Sequence, residues 1–240
     1  MEYGDNMQYF FLITGVIFTI VFLVFRKAEV PLSVAFVKSA ASISFVFTAL
    51  FSFIENESCP PYLGAFIVCG ACFGMLGDIF LDLKYVHPNE QNKYLLSGFV
   101  TFAIGHLFYS FSLASTYGVE PLNIIFGLVG AVLIGATVPF TAKTTPVDYG
   151  KFFKVTTAYI AIIGFTIGLS ISFAVTDFCL HTLVFSIAMI FFLVSDTFLS
   201  WIYFGKDEKM RTHRLSIVLN HATYYIAQFI IAFSLNLFGV

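Results

Sequence analysis

Apolar residues run through this chain in long unbroken blocks, and the polar positions collect between them. The blocks fall at 8–25, 33–54, 62–83, 94–114, 122–140, 154–175, 181–204 and 215–238. Each is close to the ~20 apolar residues that a helix needs to cross a bilayer. The breaks at Arg26–Pro31, Glu55–Pro61, Lys84–Lys93, Ser115–Pro121, Thr141–Phe153, Thr176–Leu180 and Gly205–Arg214 carry the proline, glycine and charge that interrupt helices. A membrane β-barrel would show short alternating strands instead. The pattern predicts an all-α fold, a polytopic membrane bundle of eight transmembrane helices forming a single membrane domain over 1–240. The connections are too short for an inserted soluble domain. The first block follows acidic residues rather than a basic n-region and lacks a small-residue cleavage site. It therefore reads as a retained span and not as a signal peptide.

Composition strengthens this picture. Hydrophobic residues make up 59% of the chain and charged residues 11%, against about 25% charged in soluble domains, and mean hydropathy is +0.91. No soluble fold of this size could bury that much apolar surface. With a net charge of −2 and no basic stripe, nucleic acid is not an expected partner. Of twelve Lys and Arg, all but Lys38 lie in or beside the first, third, fifth and seventh connections. By the positive-inside rule those connections are cytoplasmic and both termini extracytoplasmic. With no retention signal, the expected membrane is the plasma membrane in a bacterium and the endoplasmic reticulum in a eukaryote.

Scarce polar residues recur with a near-constant offset. Phe36-Val37-Lys38 matches Phe152-Phe153-Lys154, and Gly77-Asp78-Ile79-Phe80-Leu81 matches Ser195-Asp196-Thr197-Phe198-Leu199. His106-x-x-Tyr109 matches His221-x-x-Tyr224, and Cys59 matches Cys179. The order suggests a 4+4 tandem repeat, units 1–120 and 121–240, with parallel halves related by an axis along the membrane normal. The alternative is coincidence in a restricted alphabet. Cys59 and Cys179 would share the outward side, where a disulfide between them is conceivable. Cys69 and Cys72 read as small packing residues, and no metal site is expected.

Lys38, Asp78, Asp82 and Asp196 are the charged residues that fall within spans. A charge at mid-span costs on the order of 2.5–3.5 kcal/mol and usually faces the bundle interior with a role. At about 1.5 Å rise per residue, Lys38 and Asp78 sit roughly 8 Å inside their cytoplasmic ends, His221 about 9 Å and Asp196 about 12 Å. Each has a plainer reading. Asp82 adjoins the boundary and reads as solvated. Lys38 either snorkels to the headgroups or turns inward. His106 reads as a core histidine bonded to a carbonyl. Asp78 and Asp196 have no basic neighbour one turn away, so they pair across helices or one holds a proton. In the last span Ser216, Asn220, Tyr224 and Gln228 share a face at i, i+4 spacing, as interhelical hydrogen-bonding residues or as a cavity wall. Small-residue ladders at Gly70 and Gly74, at Gly127, Ala131 and Gly135, and at Gly164, Gly168 and Ser172 predict close helix crossings.

Val37-Lys38, Gly77-Asp78-Ile79-Phe80-Leu81, His106-Leu107-Phe108-Tyr109, Phe191-Phe192-Leu193-Val194-Ser195-Asp196 and Thr223-Tyr224-Tyr225-Ile226-Ala227-Gln228 occur in this order along the spans. In them the chain resembles the YhhN-like family, the lysoplasmalogenases, over nearly its whole length. The resemblance implies a membrane-embedded hydrolase that cleaves the vinyl ether bond of lysoplasmalogens to a fatty aldehyde and glycerophosphocholine or glycerophosphoethanolamine. It puts polar site residues at Lys38, Asp78, His106, Tyr109, Asp196, Tyr224 and Gln228, and none at Asp82 or His221. Such hydrolysis needs an acid to protonate carbon and a carboxylate to steady the cation and activate water, the division of labour seen in glycosidases. Asp78 and Asp196 are the candidate catalytic pair. Lys38, His106, Tyr109, Asn220, Tyr224 and Gln228 are candidate substrate-binding or supporting residues. No cofactor is implied, and the expected partners are a lysophospholipid substrate and membrane lipids. Physics alone fits a transporter or channel with an intramembrane polar cavity equally well, or a lipid-binding sensor.

Overall fold

A computed structural model describes residues 6–26 and 32–239. Lys27 and Pro31 of the first connection, and the acidic residues Glu2 and Asp5 ahead of the first span, lie outside the described residues. The helices are α1 (Met7–Phe25), α2 (Leu32–Glu55), α3 (Pro61–Val86), α4 (Gln91–Tyr117), α5 (Pro121–Gly135), α6 (Thr137–Thr144), α7 (Phe153–Thr176), α8 (Leu180–Phe204), α9 (Glu208–Arg211) and α10 (Arg214–Ser234). Taken with their short 3-10 extensions, and with α5 joined to α6, they supply eight segments long and apolar enough to cross a membrane. Large apolar side chains such as Ile13, Ile20, Val132 and Leu133 are exposed along α1 and α5, as lipid-facing helices require. The protein is a multi-pass membrane protein.

Two departures from the sequence pattern have local causes. The fifth span is not continuous but is interrupted at Ala136, between α5 and α6. Pro139 lies four residues after Gly135 and has no N–H to donate to the Gly135 carbonyl, so the helical ladder lapses there. The third span runs on to Val86, one turn past the boundary read from hydropathy. Asp82 and Lys84 therefore sit inside the bundle and are buried, which corrects the solvated reading of Asp82.

Each span packs on the next within both halves of the chain, and α2 on α10 and α4 on α7 join the halves. Under the sequence offset these two cross-contacts are images of one another. The tandem repeat itself stays a proposal that superposing the halves would test. α5 crosses α7 closely, where a Cβ at Gly130 would strike the Gly164 carbonyl and one at Gly164 the Gly130 carbonyl. Gly130, rather than the expected Ala131, makes that approach. Described residues of the third, fifth and seventh basic connections, with Arg26 and Leu23 from the first connection and its flank, gather at one end of the bundle. Asp148 N–H donates to the Phe204 carbonyl at 2.7 Å and Lys206 N–H to the Pro146 carbonyl at 2.9 Å, and Arg214 donates to the Leu23 carbonyl at 2.7 Å. Cys59 and Cys179 are unbridged; Cys179 instead lies 3.4 Å from the Tyr117 hydroxyl.

Candidate active site

The intramembrane charges converge where α2, α3 and α10 meet. Lys38 turns inward, 2% exposed, which decides against snorkelling. Its ammonium lies 3.2 Å from Asp78 Oδ1 and 3.1 Å from Asp82 Oδ1. Asp78 and Asp82 are one helical turn apart on α3, so both carboxylates reach the same cation. The second oxygen of Asp78 accepts from the Ser42 hydroxyl at 2.7 Å and the Tyr224 hydroxyl at 2.8 Å. Ser42 lies one turn after Lys38 on α2, and its hydroxyl is also 3.0 Å from that of Tyr225. Every oxygen of Asp78 is thus paired with a donor, as a buried ionised carboxylate requires.

A chain of side chains leads away from this centre. Gln228 Nε2 donates to the Tyr224 hydroxyl at 3.3 Å, and Tyr109 donates to Gln228 Oε1 at 2.7 Å. Gly74 leaves room for the Gln228 amide, since a Cβ there would stand 2.6 Å from Gln228 Nε2.

Asp196 on α8 is in the opposite condition. It is 4% exposed, and its Oδ2 has no hydrogen-bond partner among the described residues. Tyr159, on α7, lines the same cavity; its hydroxyl makes no short hydrogen bond but interacts with the Asp196 carboxyl at longer range. Asp78 and Asp196 therefore share one internal cavity, together with Lys38, Tyr159, Asn220 and Tyr224, and Phe102 and Phe192 form its apolar walls. Its volume is about 20 Å³, room for about one water molecule. Asn220 spends its amide on α8, donating to the Ser195 carbonyl at 2.9 Å and the Ser195 hydroxyl at 3.0 Å. Beyond Asp196 lies a second pocket of about 270 Å³ beside the break at Ala136, walled by Ile134, Phe140, Leu193 and Trp201. Asp196 is a wall of both.

His106, Tyr109 and Gln228 do not line the cavity. His106 is buried behind Phe192, ring centroids 4.4 Å apart, and neither ring nitrogen has a partner. The carbonyl bond expected of a core histidine is not formed. His221, to which the resemblance gave no role, does line the cavity and accepts from Arg26 Nε at 3.4 Å. Ser42, Tyr159 and Asp82 are the site residues that sequence reasoning missed. The i, i+4 spacings Lys38–Ser42 and Asp78–Asp82 were the available signal for two of them. Among the described residues no group of three or more His, Cys, Asp or Glu is arranged to hold a metal ion.

A comparison with protein families matches the YhhN family over residues 34–235, a stretch that contains every residue of this site except Arg26. No curated protein matches the chain, and no solved structure does.

Proposed function

As the chain belongs to the YhhN family, we propose that it is a membrane hydrolase acting on the vinyl ether bond of lysoplasmalogens, with Asp78 and Asp196 as its two working carboxyls. The observation that carries this reading is their contrast across one water-sized cavity. Asp78 is met by a cation and two hydroxyl donors, whereas Asp196 Oδ2 has no donor within hydrogen-bond distance and only Tyr159 at longer range.

A buried charge without partners is costly, so we assign the proton to Asp196 and the negative charge to Asp78. In the first step Asp196 gives its proton to the outer carbon of the vinyl ether, leaving an oxocarbenium ion. Asp78, held ionised by Lys38, steadies that cation and takes a proton from the water that adds to it. The resulting hemiacetal collapses. Asp78 returns its proton to the departing glycerol oxygen, and the hemiacetal hydroxyl proton goes to Asp196. The sum is one water consumed, one aldehyde and one glycerophospho-alcohol formed, and both carboxyls restored. The cavity accommodates the water but not the lipid. The reacting bond would enter from the 270 Å³ pocket, where a hydrocarbon chain finds apolar walls and Asp196 stands at the boundary.

The test is aldehyde release by purified protein from a lysoplasmalogen in mixed micelles. Asp78→Asn and Asp196→Asn should each lower the rate by about 10²-fold or more, the scale of general acid–base contributions. In D₂O the trapped aldehyde should hold one deuterium on the carbon next to the carbonyl. Full activity in either variant refutes the assignment, and lipid flux across liposomes without aldehyde would favour a transporter.

A further inference from the structure

Residues of all four basic connections or their flanks meet around a pocket of about 520 Å³, a size typical of small-molecule sites. Its walls carry Arg26, Lys84, Lys151 and Arg211 against one carboxylate, Asp148. Positive charge at this end of a membrane bundle is ordinary, and the exposed Lys151 and Arg211 need no further reason. Lys84 does. It is 8% exposed, and its ammonium stands 3.0 Å from the centroid of the Tyr203 ring and 4.8 Å from that of Tyr85. It makes no hydrogen bond or ion pair with any described residue. Asp82, two positions earlier on α3, is committed to Lys38. Asp82 acts on Lys84 only at longer range; a buried ammonium with no anion in contact is expensive, and ring faces offset only part of the loss of water.

The pocket also adjoins the reaction cavity. Arg26, in its wall, donates to His221, a wall of the cavity. Tyr149 is shared with the 270 Å³ apolar pocket, which Asp196 joins to the cavity. An amphiphile with its head at Lys84 and its chain beyond Asp196 would carry the linking bond past the carboxyl.

We propose that the 520 Å³ pocket binds the phosphate of an amphiphilic phosphate ester, with Lys84 as its buried anion ligand and Arg211 at its rim. The inference builds on the lysophospholipid reading, so its test avoids turnover. The probes are a saturated 1-alkyl lysophospholipid, which has no vinyl ether to hydrolyse, the 1-alkylglycerol of equal chain length, and inorganic phosphate. Binding to the purified protein in detergent is read by calorimetry. The wild type should bind the phospholipid at least tenfold more tightly than the alkylglycerol. Lys84→Gln and Arg211→Gln should reduce that preference, and Lys84→Arg should retain it. Arg211 is exposed, so its variant carries the test even where Lys84→Gln fails to fold. Equal binding of the two lipids by the wild type, or an unchanged preference in the glutamine variants, overturns the proposal. Binding of inorganic phosphate without any lipid preference overturns the headgroup assignment and gives the pocket to free phosphate. Phosphate-dependent lipid binding without aldehyde release from a lysoplasmalogen would support the pocket while refuting the hydrolase reading.

Discussion

Replacing Lys38 by methionine keeps most of the length of the side chain and removes the ammonium that two buried carboxylates share. Lys38, Asp78 and Asp82 are all under 9% exposed, so water cannot replace the lost cation. Removing one member of a buried ion pair costs about 3–5 kcal/mol, because the partner is left charged and unpaired. At 1.4 kcal/mol per tenfold, that is a roughly 140- to 3,700-fold shift in the unfolding equilibrium. The triple variant Lys38→Met, Asp78→Asn, Asp82→Asn should recover to within ~1 kcal/mol of the wild type, since neutral groups of similar shape often replace buried ion pairs at little cost. The amide oxygen that Asp78→Asn leaves in place can still accept from Ser42 and Tyr224. Reversible unfolding in mixed detergent and SDS micelles measures all three states, and aldehyde release is assayed beside it. The triple variant should be stable and inactive, which separates folding from chemistry. A loss below ~1 kcal/mol in Lys38→Met, or no recovery in the triple variant, would show that the three charges are not coupled as argued.

Two glycines should respond differently to alanine. At Gly74 the new methyl meets the mobile tip of Gln228, so the Gln228–Tyr224 hydrogen bond is lost for about 1 kcal/mol, and aldehyde release falls while the fold persists. At Gly130 it meets backbone of α7, which cannot step aside, and the cost should reach about 1–3 kcal/mol or more in the same unfolding assay. Tyr224→Phe removes one donor to a charged oxygen, about 1.5–3 kcal/mol, and should lower activity more than Tyr109→Phe, which acts two bonds further away. For the cysteines, four free thiols should titrate in the denatured protein with or without reductant; a count of two without reductant that returns to four in Cys59→Ser, less the one replaced, would establish a bridge through Cys59. Burial pushes the Cys59 thiol up to about 11, so its alkylation in the folded protein should be slow at neutral pH and keep rising through pH 10, as the thiolate becomes populated.

The spans were legible because a bilayer demands long apolar blocks, and the basic connections because the same demand drives their charges to the ends. Depth was less legible. Hydropathy ended the third span at 83, and the one further turn of α3 turned Asp82 and Lys84 from surface charges into buried ones. The break at Ala136 had its cause in view, in Pro139, but an apolar block looks the same whether its helical ladder is broken or intact. Pairing across helices was the part that one dimension does not contain. Nothing near Lys38 in the sequence announces that Asp78 and Asp82 both reach it, or that Tyr224 and Ser42 arrive from two other directions to complete Asp78. The lack of a close donor at Asp196 Oδ2 is equally a property of what surrounds it and not of what precedes or follows it.

The proposed repeat makes that inequality informative. Its offset equates Lys38 with Lys154, Asp78 with Asp196 and Tyr224 with Tyr109. In the first set the lysine is buried against the aspartate and the tyrosine donates to it. In the second, Lys154 is exposed, Tyr109 donates to Gln228 instead, and Asp196 Oδ2 is left without a close donor. Two equivalent carboxyls, each with its own cation, would both be held ionised, and neither could serve as a proton donor to carbon. Withdrawing lysine and tyrosine from one of them yields the unequal pair that acid–base hydrolysis requires. It follows that supplying Asp196 with a cation should abolish the proposed hydrolysis. Thr156 on α7 is buried one turn before Tyr159, with an unpaired hydroxyl of its own. Thr156→Lys offers an ammonium from that helix, and it should abolish aldehyde release even in protein that folds, while the conservative Thr156→Val retains it. An active, folded Thr156→Lys variant would mean that Asp196 need not hold a proton, and the acid would have to be sought elsewhere.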